Sequence, residues 1–197
     1  MMSEVRVNAS IPKDRIGVLV GPKGTVKSRV EDSMGVDLTI DSETGLVDIR
    51  LRKDTEDPSN ALRAKDIVVA IGRGFSPERA FSLLNEDNTF AVLDLHDIFG
   101  KDDAEIRRVD GRIIGREGKT RRIIEEMTGT LVSVSGHTVS IIGSYESVST
   151  AKDAIEKLLK GRMHGTVYKF LRRKKSEAKK EKALSLWEGQ QVKAKKP

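Results

Sequence analysis

Apolar residues recur along this chain with two periods, one typical of strands and one typical of helices. Alternation in "VRVNAS", "LVDIRLR" and "TVSIIG" predicts half-buried strands. Helical spacing in "ALRAKDIVVAIGRG" and "VSTAKDAIEKLLKG" predicts two long amphipathic helices. Segments of these two kinds follow each other in the same order twice, which predicts two units built alike.

The two units share glycines and apolar residues at a fixed separation. Each glycine of a first set has a counterpart 94 positions later (115 − 21, 118 − 24, 129 − 35): Gly21 and Gly115, Gly24 and Gly118, Gly35 and Gly129. The apolar residues beside them keep that separation: Leu19 and Ile113, Val20 and Ile114, Val30 and Ile124, Leu38 and Val132, Ile40 and Val134. A chance pair of G-x-x-G strings would not bring its neighbours along, so the chain is predicted to be a tandem duplication.

Each unit is predicted to fold as strand–helix–helix–strand–strand–helix, an α+β arrangement with helices on one face of a three-stranded sheet. The helix after each G-x-x-G string is expected to stop at the third glycine of its set, as suits a helix C-terminus. In the second unit the helix before the string is expected to be longer and to begin near Asp102 or Asp103. Between the units, Ser76 and Pro77 predict the start of a short linking helix.

The chain therefore divides into four expected segments. Their boundaries are 1–75 for the first unit, 76–88 for the linking helix, 89–171 for the second unit and 172–197 for a basic C-terminal tail. The tail is compatible with a helix at its start and is expected to lose order toward its end. From residue 165 onward there are eleven Lys or Arg and three Glu, so a chain of net charge +6 carries +8 there and −2 before it. Cations of the folded body therefore matter only where they cluster.

Residue usage limits the class of protein. The chain has no cysteine, which excludes disulfide scaffolds and Cys-based zinc sites and fits an intracellular, cytoplasmic protein. No apolar run approaches the roughly 18 residues that span a bilayer, so no membrane partner is expected. The N-terminal "MMSEVRVNAS" also lacks the pattern of a secretory signal.

The motifs give little support to an enzyme. "GPKGTVKS" ends like a phosphate-binding loop of a nucleotide hydrolase, but that loop needs glycine directly before the lysine, and Val26 stands there. His96, His137 and His164 have no partner at the spacing of metal ligands on a helix, and no serine lies in a nucleophile elbow. We therefore predict no catalytic residue, no cofactor and no metal site.

The run "GRIIGREGKTRRIIEEMTG" predicts a phosphate-binding turn instead. One helix ends at its first G-x-x-G glycine and another begins after the second, so backbone N–H groups and the positive end of a helix dipole face the turn. Glycine is expected there because a Cβ would hold a bound backbone away and because the turn needs positive φ. Five cations surround it: Arg112, Arg116, Lys119, Arg121 and Arg122.

The longer run "IIGREGKTRRIIEEMTGTLVSV" resembles the signature of KH domains, in which a G-x-x-G loop grips about four nucleotides of single-stranded RNA. Both units resemble the eukaryotic-type (type I) KH topology and together cover nearly the whole chain. "AIGRGFSPERAFSLL", "GRIIGREGKTRRIIEEMTG" and "HGTVYKFL" resemble an archaeal family of two-KH ribosome-assembly factors, the counterpart of the eukaryotic partner of the nuclease NOB-one.

This resemblance implies two tandem type I KH domains in a non-enzymatic protein. Its expected partner is single-stranded RNA, namely the 3′ end of small-subunit rRNA during ribosome assembly. The rRNA 3′-end nuclease and other assembly or translation factors are further partners that the resemblance implies.

The expected RNA-binding residues lie around both loops. In the second unit they are Arg112, Ile113, Ile114, Gly115, Arg116, Glu117, Gly118, Lys119, Arg121, Arg122, Val132 and Val134. In the first unit they are Val20, Gly21, Pro22, Lys23, Gly24, Lys27 and Leu38. The apolar members Ile113, Ile114, Val132 and Val134 are expected to form a floor on which bases lie.

The two loops are not expected to bind equally well. Glu117 places an acid inside the second loop and lowers its attraction for phosphate. The first unit has fewer cations, and Pro22 stands in its loop, so we rank it the weaker RNA binder or a docking surface for protein. Two alternative functions stay open: a protein-interaction scaffold whose KH folds no longer grip RNA, and a general regulator of mRNA.

Overall fold

Two three-stranded antiparallel sheets organise the chain, one in each predicted unit. The computed structural model describes residues 5–55 and 57–194. The strands are β1 (Arg6–Ser10), β2 (Val36–Ile40), β3 (Leu46–Leu51), β4 (Asn88–Asp94), β5 (Leu131–Ser135) and β6 (Thr138–Ser144). They form sheets of order β1–β3–β2 and β4–β6–β5, so the last strand of each unit lies in the middle of its sheet.

Helices cover one face of each sheet. They are α1 (Lys13–Val20), α2 (Thr25–Met34), α3 (Ser59–Gly72), α4 (Pro77–Ala80), α5 (His96–Phe99), α6 (Asp103–Ile114), α7 (Lys119–Thr128), α8 (Tyr145–Leu159) and α9 (His164–Ala194). The predicted α+β class is confirmed. Within the described residues, none of these helices combines the length and the apolar character needed to cross a membrane.

The predicted helix ends agree with the structure, with one addition. α2 and α7 end at Gly35 and Gly129, which have φ of 61° and 72°. α6 begins after Asp102, whose carboxylate accepts hydrogen bonds from the first turn of the helix. The short helix α5 was not predicted. It starts where the carboxylate of Asp94 accepts a hydrogen bond from the His96 N–H at 2.9 Å.

The segment between the units is short, helical and packed. α4 begins at Pro77, with Ser76 at the N-cap position, and a 3-10 turn continues it over Phe81–Leu84. Ala80, Phe81 and Leu83 are buried in the core of the first unit. A short helical segment therefore lies between the two sheets and packs in the core of the first unit.

The outer face of the second sheet is covered, whereas that of the first is polar. Ile142 is buried within the core of the first unit, and Phe90 and Leu131 pack against the same cluster. β6 is therefore buried on both faces. On the first sheet the corresponding face carries Asp48, which pairs with Arg6 at 2.5 Å.

α9 packs along the second unit and is longer than the sequence indicates. Val167 and Leu171 are buried in the second core, and the Tyr168 hydroxyl lies 3.0 Å from the hydroxyl of Thr120 on α7. The helix continues to Ala194, and the expected loss of order toward the end of the tail stays a prediction. Residues 195–197 lie outside the described part of the chain.

Candidate nucleic-acid interface

The turns at the two G-x-x-G strings have the same backbone shape. Gly115 has φ 71° and ψ 173°, and Gly118 has φ 74° and ψ 13°. Their counterparts Gly21 and Gly24 have φ 72°, ψ 174° and φ 80°, ψ 7°. Between the glycines, Glu117 and Lys23 also adopt positive φ, at 53° and 51°. The residues between the glycines are Pro-Lys in the first unit and Arg-Glu in the second, and the backbone of both loops therefore follows the same path.

The two glycines of each turn are required for different reasons. A Cβ on Gly115 would lie 2.2 Å from the Thr120 hydroxyl oxygen and 2.8 Å from the Thr120 nitrogen. A Cβ on Gly21 would lie 2.4 Å from a methyl carbon of Val26. Gly118 and Gly24 have no such neighbour within 4 Å, so only their positive φ demands glycine. The second glycine thus leaves open space in front of the helix that follows.

The start of α7 is available to an external acceptor. Its N-cap position is Gly118, which has no side chain that could accept from the first-turn N–H groups. Those N–H groups and the helix dipole together favour an anion at this point. α2 begins in the same way at Gly24.

The predicted cations divide into exposed and half-buried groups. Arg116, Lys119 and Arg122 are exposed around the turn. Arg122 also donates a hydrogen bond of 2.9 Å to the Glu117 carbonyl oxygen, which ties the loop to α7. Arg112 donates to the Arg162 carbonyl oxygen at 2.8 Å, and both Arg112 and Arg121 are half-buried. The exposed three are the better placed for phosphate.

The predicted apolar floor needs a correction. Ile113 and Val132 are fully buried, and Leu38 is only 3% exposed. These side chains belong to the cores beneath the grooves and cannot touch a base directly. Ile114, Val134 and, in the first unit, Val20 are partly exposed and stay candidates for contact with bases.

Each unit contains a hydrogen bond between a helix and a strand that was not predicted from the sequence. Glu125 on α7 accepts from the Val132 N–H at 2.7 Å, and Glu31 on α2 accepts from the Leu38 N–H at 2.8 Å. Both donors and both acceptors keep the separation of 94 (125 − 31, 132 − 38). The Glu125 side chain is only 17% exposed and also pairs with Arg79 of α4. The fixed offset was the signal that could have identified this carboxylate.

Cations of the first unit take part in packing. Lys27 Nζ lies 3.7 Å from Glu31 Oε1, and the Arg29 guanidinium lies 4.2 Å from the centre of the Phe81 ring. Lys23 is exposed in the loop itself. The first turn therefore has the same shape as the second but fewer cations free for a phosphate backbone.

Two histidines predicted to stand apart lie together with an aspartate. The His96 and His137 rings stack with centroids 4.1 Å apart, and both face Asp94. Forty-one positions separate the two histidines in the sequence (137 − 96), so spacing gave no signal of their contact.

Comparison with known proteins agrees with this geometry. A sequence model of the eukaryotic type KH-domain (KH-domain type I) matches residues 89–176. A KH domain-containing protein of Methanocaldococcus jannaschii is 48% identical over 177 residues, which cover 90% of this chain and 77% of that protein. The solved structure of Dim2p from Pyrococcus horikoshii OT3 is 54% identical, with a TM-score of 0.81; the match covers 85% of this chain and 98% of that one. The chain belongs to the PNO1/Dim2 family of KH-domain proteins.

Other members of the PNO1/Dim2 family carry names that describe their role. A chain of the a/eIF2alpha-aDim2p-rRNA complex from Pyrococcus horikoshii OT3 is 52% identical, with a TM-score of 0.84; the match covers 89% of this chain and 97% of that one. The pre-rRNA-processing protein pno1 of Schizosaccharomyces pombe is 33% identical over 137 residues, 68% of this chain and 56% of that protein.

Proposed function

We propose that the chain is a single-stranded RNA-binding protein with two tandem type I KH domains, at residues 1–75 and 89–171, joined by a linking helix at 76–88. The repeated loop geometry and the repeated Glu-to-strand hydrogen bond support the assignment of the first unit to the same class as the second. Residues 172–197 form a basic C-terminal segment in this division.

The proposed RNA is the 3′ region of small-subunit rRNA during ribosome assembly. The relatives named for pre-rRNA processing and the family member found in a complex with rRNA support this choice. The main support for RNA binding is the turn Gly115–Gly118, which is open in front of α7 and is flanked by exposed cations.

Binding at this turn follows from its electrostatics. A phosphate of the RNA accepts hydrogen bonds from the N–H groups at the start of α7, and the helix dipole strengthens them. Arg116, Lys119 and Arg122 pair with neighbouring phosphates, so affinity falls as salt rises. Ile114 and Val134 supply apolar contact for bases, whose edges are readable only in a single strand.

The first unit has a second role in this proposal. Its loop retains Gly21, Pro22, Lys23 and Gly24, but Lys27 and Arg29 are engaged elsewhere. We assign it weaker RNA contact or the docking of a protein partner. A translation factor is present beside Dim2p and rRNA in the complex of the relative, which supports such a partner. The rRNA 3′-end nuclease is the other proposed partner, and this chain acts as a binding protein beside it.

Two paired variants test the proposal. Binding of a short single-stranded RNA that matches the 3′ end of small-subunit rRNA is measured by fluorescence anisotropy. Arg116→Asp with Glu117→Asp should lower affinity by roughly tenfold or more, because a phosphate contact is replaced by repulsion. The matched pair, Pro22→Asp with Lys23→Asp, makes the first loop acidic and should lower it less.

The outcome separates the competing functions. Binding of a duplex of the same sequence should be weaker than binding of the single strand. Equal affinity of both paired variants and the unaltered protein would contradict the role of the loops, and the protein-interaction scaffold would become the leading function. Strong binding to any single-stranded RNA, without preference for the rRNA 3′ end, would favour the general mRNA regulator.

A further inference from the structure

Asp94, His96 and His137 meet at one end of the second sheet. Asp94 is the last residue of β4, His96 is the first of α5, and His137 lies in the turn between β5 and β6. His96 Nδ1 lies 3.9 Å from Asp94 Oδ1, and His137 Nε2 lies 3.7 Å from Asp94 Oδ2. One carboxylate therefore faces two imidazole nitrogens across gaps that are too long for hydrogen bonds.

Backbone hydrogen bonds fix the segments that carry these three side chains. The Leu95 N–H donates to the His137 carbonyl oxygen at 2.8 Å, which ties the β5–β6 turn to the end of β4. The His96 N–H donates to Asp94 Oδ1 at 2.9 Å. Leu95 between them is fully buried in the second core. The three groups thus come from segments fixed by their own hydrogen bonds and packing.

The distances suit a shared metal ion. One ligand atom from each of the three residues lies within 4.8 Å of the other two. Two ligands of one tetrahedral zinc ion, each bonded at about 2.1 Å, lie about 3.4 Å apart. The observed gaps of 3.7 and 3.9 Å exceed that value by about 0.3 and 0.5 Å (3.7 − 3.4, 3.9 − 3.4), which small movements of the half-exposed side chains can close. The two imidazole rings stack at an interplanar angle of 14°, so they must also turn about their side-chain bonds before both nitrogens face one ion.

A cleft of about 350 Å³ opens beside the cluster. His96 and His137 line it together with Ile106, Arg107 and Asp110 of α6. Asp110 Oδ1 is buried and has no hydrogen-bond partner among the described residues. Burial also raises the pKa of Asp110. A buried carboxylate oxygen without a partner can accept a hydrogen bond from water on a metal ion, which is the usual role of an outer-sphere acid.

We propose that Asp94, His96 and His137 bind a divalent transition-metal ion, with Zn²⁺ as the best-suited ion and water in the fourth position. Two imidazoles and one carboxylate suit zinc, whereas calcium and magnesium prefer oxygen ligands throughout. The ion joins the β5–β6 turn to β4 and α5 and stabilises this end of the second unit.

This site is independent of the proposed RNA function. Its three ligands lie on β4, α5 and the β5–β6 turn, outside the residues assigned to phosphate binding. The part of α6 that lines the cleft ends at Asp110, five residues and about 7.5 Å of helix rise before Gly115, so the ion is not a member of the G-x-x-G turn. The ion-binding test therefore needs no RNA, and its failure would leave the RNA proposal intact.

Isothermal titration calorimetry of the full-length, tag-free protein with ZnCl₂, after treatment with EDTA, tests the site. One equivalent should bind, and zinc should raise the thermal unfolding midpoint because it binds only the folded state. His96→Ala, His137→Ala and Asp94→Asn should each lower zinc affinity by roughly tenfold or more. His164→Ala removes the third histidine, which lies outside the cluster, and should leave zinc affinity unchanged.

Two results would overturn the proposal: no zinc binding by the unaltered protein, or equal zinc affinity of His137→Ala and His164→Ala. Far-UV circular dichroism of the metal-free variants checks their folding. If an alanine variant is unfolded, His137→Gln replaces it, since glutamine keeps a polar side chain of similar reach and is a poor zinc ligand. Retained zinc binding by a folded His137→Gln variant would also contradict the site.

Discussion

Single residues fix the shape of the turn at Gly115–Gly118, and its two glycines do so differently. Gly115 has positive φ and no room for a Cβ beside Thr120, whereas Gly118 has positive φ with open space around it. Gly115→Ala should therefore destabilise the fold by about 2–4 kcal/mol, from strain and overpacking together. Gly118→Ala should cost about 1–2 kcal/mol, from the backbone alone.

Urea unfolding of both variants measures the difference. The first unit provides an internal repeat of the experiment, since Gly21 is crowded by Val26 and Gly24 is open. The same ranking should appear for Gly21→Ala and Gly24→Ala. If the second glycine of either turn proves the more costly to replace, the crowding seen at the first is not what demands glycine there.

Glu117 is the acid in a loop that is otherwise basic. It is exposed and adopts a positive φ of 53°. Glu117→Lys should raise RNA affinity about threefold to tenfold at low salt and steepen the plot of log affinity against log salt by about 0.7, the value for one added phosphate contact on a single strand. Anisotropy titrations at several salt concentrations measure both.

A lysine at an exposed acid of the first unit is the control. Glu43 lies in the turn between β2 and β3, and Glu43→Lys changes net charge by the same amount. It should leave the affinity within about twofold, because attraction by distant charge is screened. Equal gains from the two substitutions would mean that net charge, and not the loop, governs binding.

At the scale of elements, Glu125 joins three segments that shape the groove. It accepts from the Val132 N–H of β5 and pairs with Arg79 of α4 while it stands on α7. Glu125→Ala should cost about 2–3 kcal/mol, because a buried N–H and a guanidinium lose their acceptor. Glu125→Gln keeps the bond to Val132 and should cost less. The exposed neighbour Glu126→Ala should change stability by less than about 0.5 kcal/mol.

Chemical denaturation of these three variants gives the ranking. A Glu125→Ala variant as stable as Glu126→Ala would mean that the carboxylate does not hold α7 against β5. If Glu125→Gln proves as unstable as Glu125→Ala, the stability that Glu125 supplies comes entirely from its ion pair with Arg79. From the hydrogen bonds, the loss of stability should be largest for Glu125→Ala, smaller for Glu125→Gln and smallest for the control, Glu126→Ala.

The polar outer face of the first sheet makes stability depend on pH. Asp48 accepts from Arg6 at 2.5 Å and pairs with Arg50 at 3.1 Å. The hydrogen bond from Arg6, joined by the charges of Arg6 and Arg50, lowers the pKa of Asp48 from its usual value of 3.8. The folded state thus favours the charged form. Its contribution is present above pH 3.8 and is lost as pH falls through the lowered pKa.

The difference in unfolding free energy between the unaltered protein and Asp48→Asn should follow this dependence. It should be largest at about pH 6 and smaller at about pH 2.5, because below pH 3.8 the unfolded chain takes up a proton on Asp48 more readily than the folded chain does. Guanidinium unfolding at the two pH values measures it. A difference that is the same at both would show that charge on Asp48 does not stabilise the sheet.

At the scale of the molecule, the fixed offset of 94 accounts for what the sequence could predict. It placed the order of elements, both turns and the ends of α2 and α7 at Gly35 and Gly129. Burial was harder, because a loop signature does not say which flanking residue faces inward. Ile113 was expected in the groove and lies in the core. Side chains that touch only after the chain folds, such as His96 and His137, had no local signal.

The sequence analysis also did not predict that the outer face of the second sheet is buried, although the sequence of β6 contains a sign of it. An alternating strand with one free face would have a polar residue at 142, but Ile141 and Ile142 are adjacent and point to opposite faces. Ile141 lies in the second core and Ile142 in the first. Two adjacent large apolar residues in such a strand indicate that both faces are buried. The two units are therefore expected to unfold together.

Ile142→Thr tests this coupling because it should be harmful in the full chain and beneficial in a fragment that contains only the second unit. In the full chain it should destabilise by about 2–4 kcal/mol, since a large buried side chain is replaced by a smaller polar one. In a fragment of residues 89–176, where Phe90, Leu131 and Ile142 lose their cover, it should reduce aggregation because it removes part of an exposed apolar patch.

Urea unfolding of the full chain and size-exclusion chromatography of the fragment measure the two effects. Val92 lies on the same face of the second sheet but is 40% exposed, so Val92→Thr is the matched control and should have little effect in either context. If Ile142→Thr costs the full chain no more than Val92→Thr, the first unit does not depend on the second sheet for its core. One cooperative transition for the full chain, shifted by Ile142→Thr as a whole, is the expected result, because Ile142 is part of both a strand of the second unit and the core of the first.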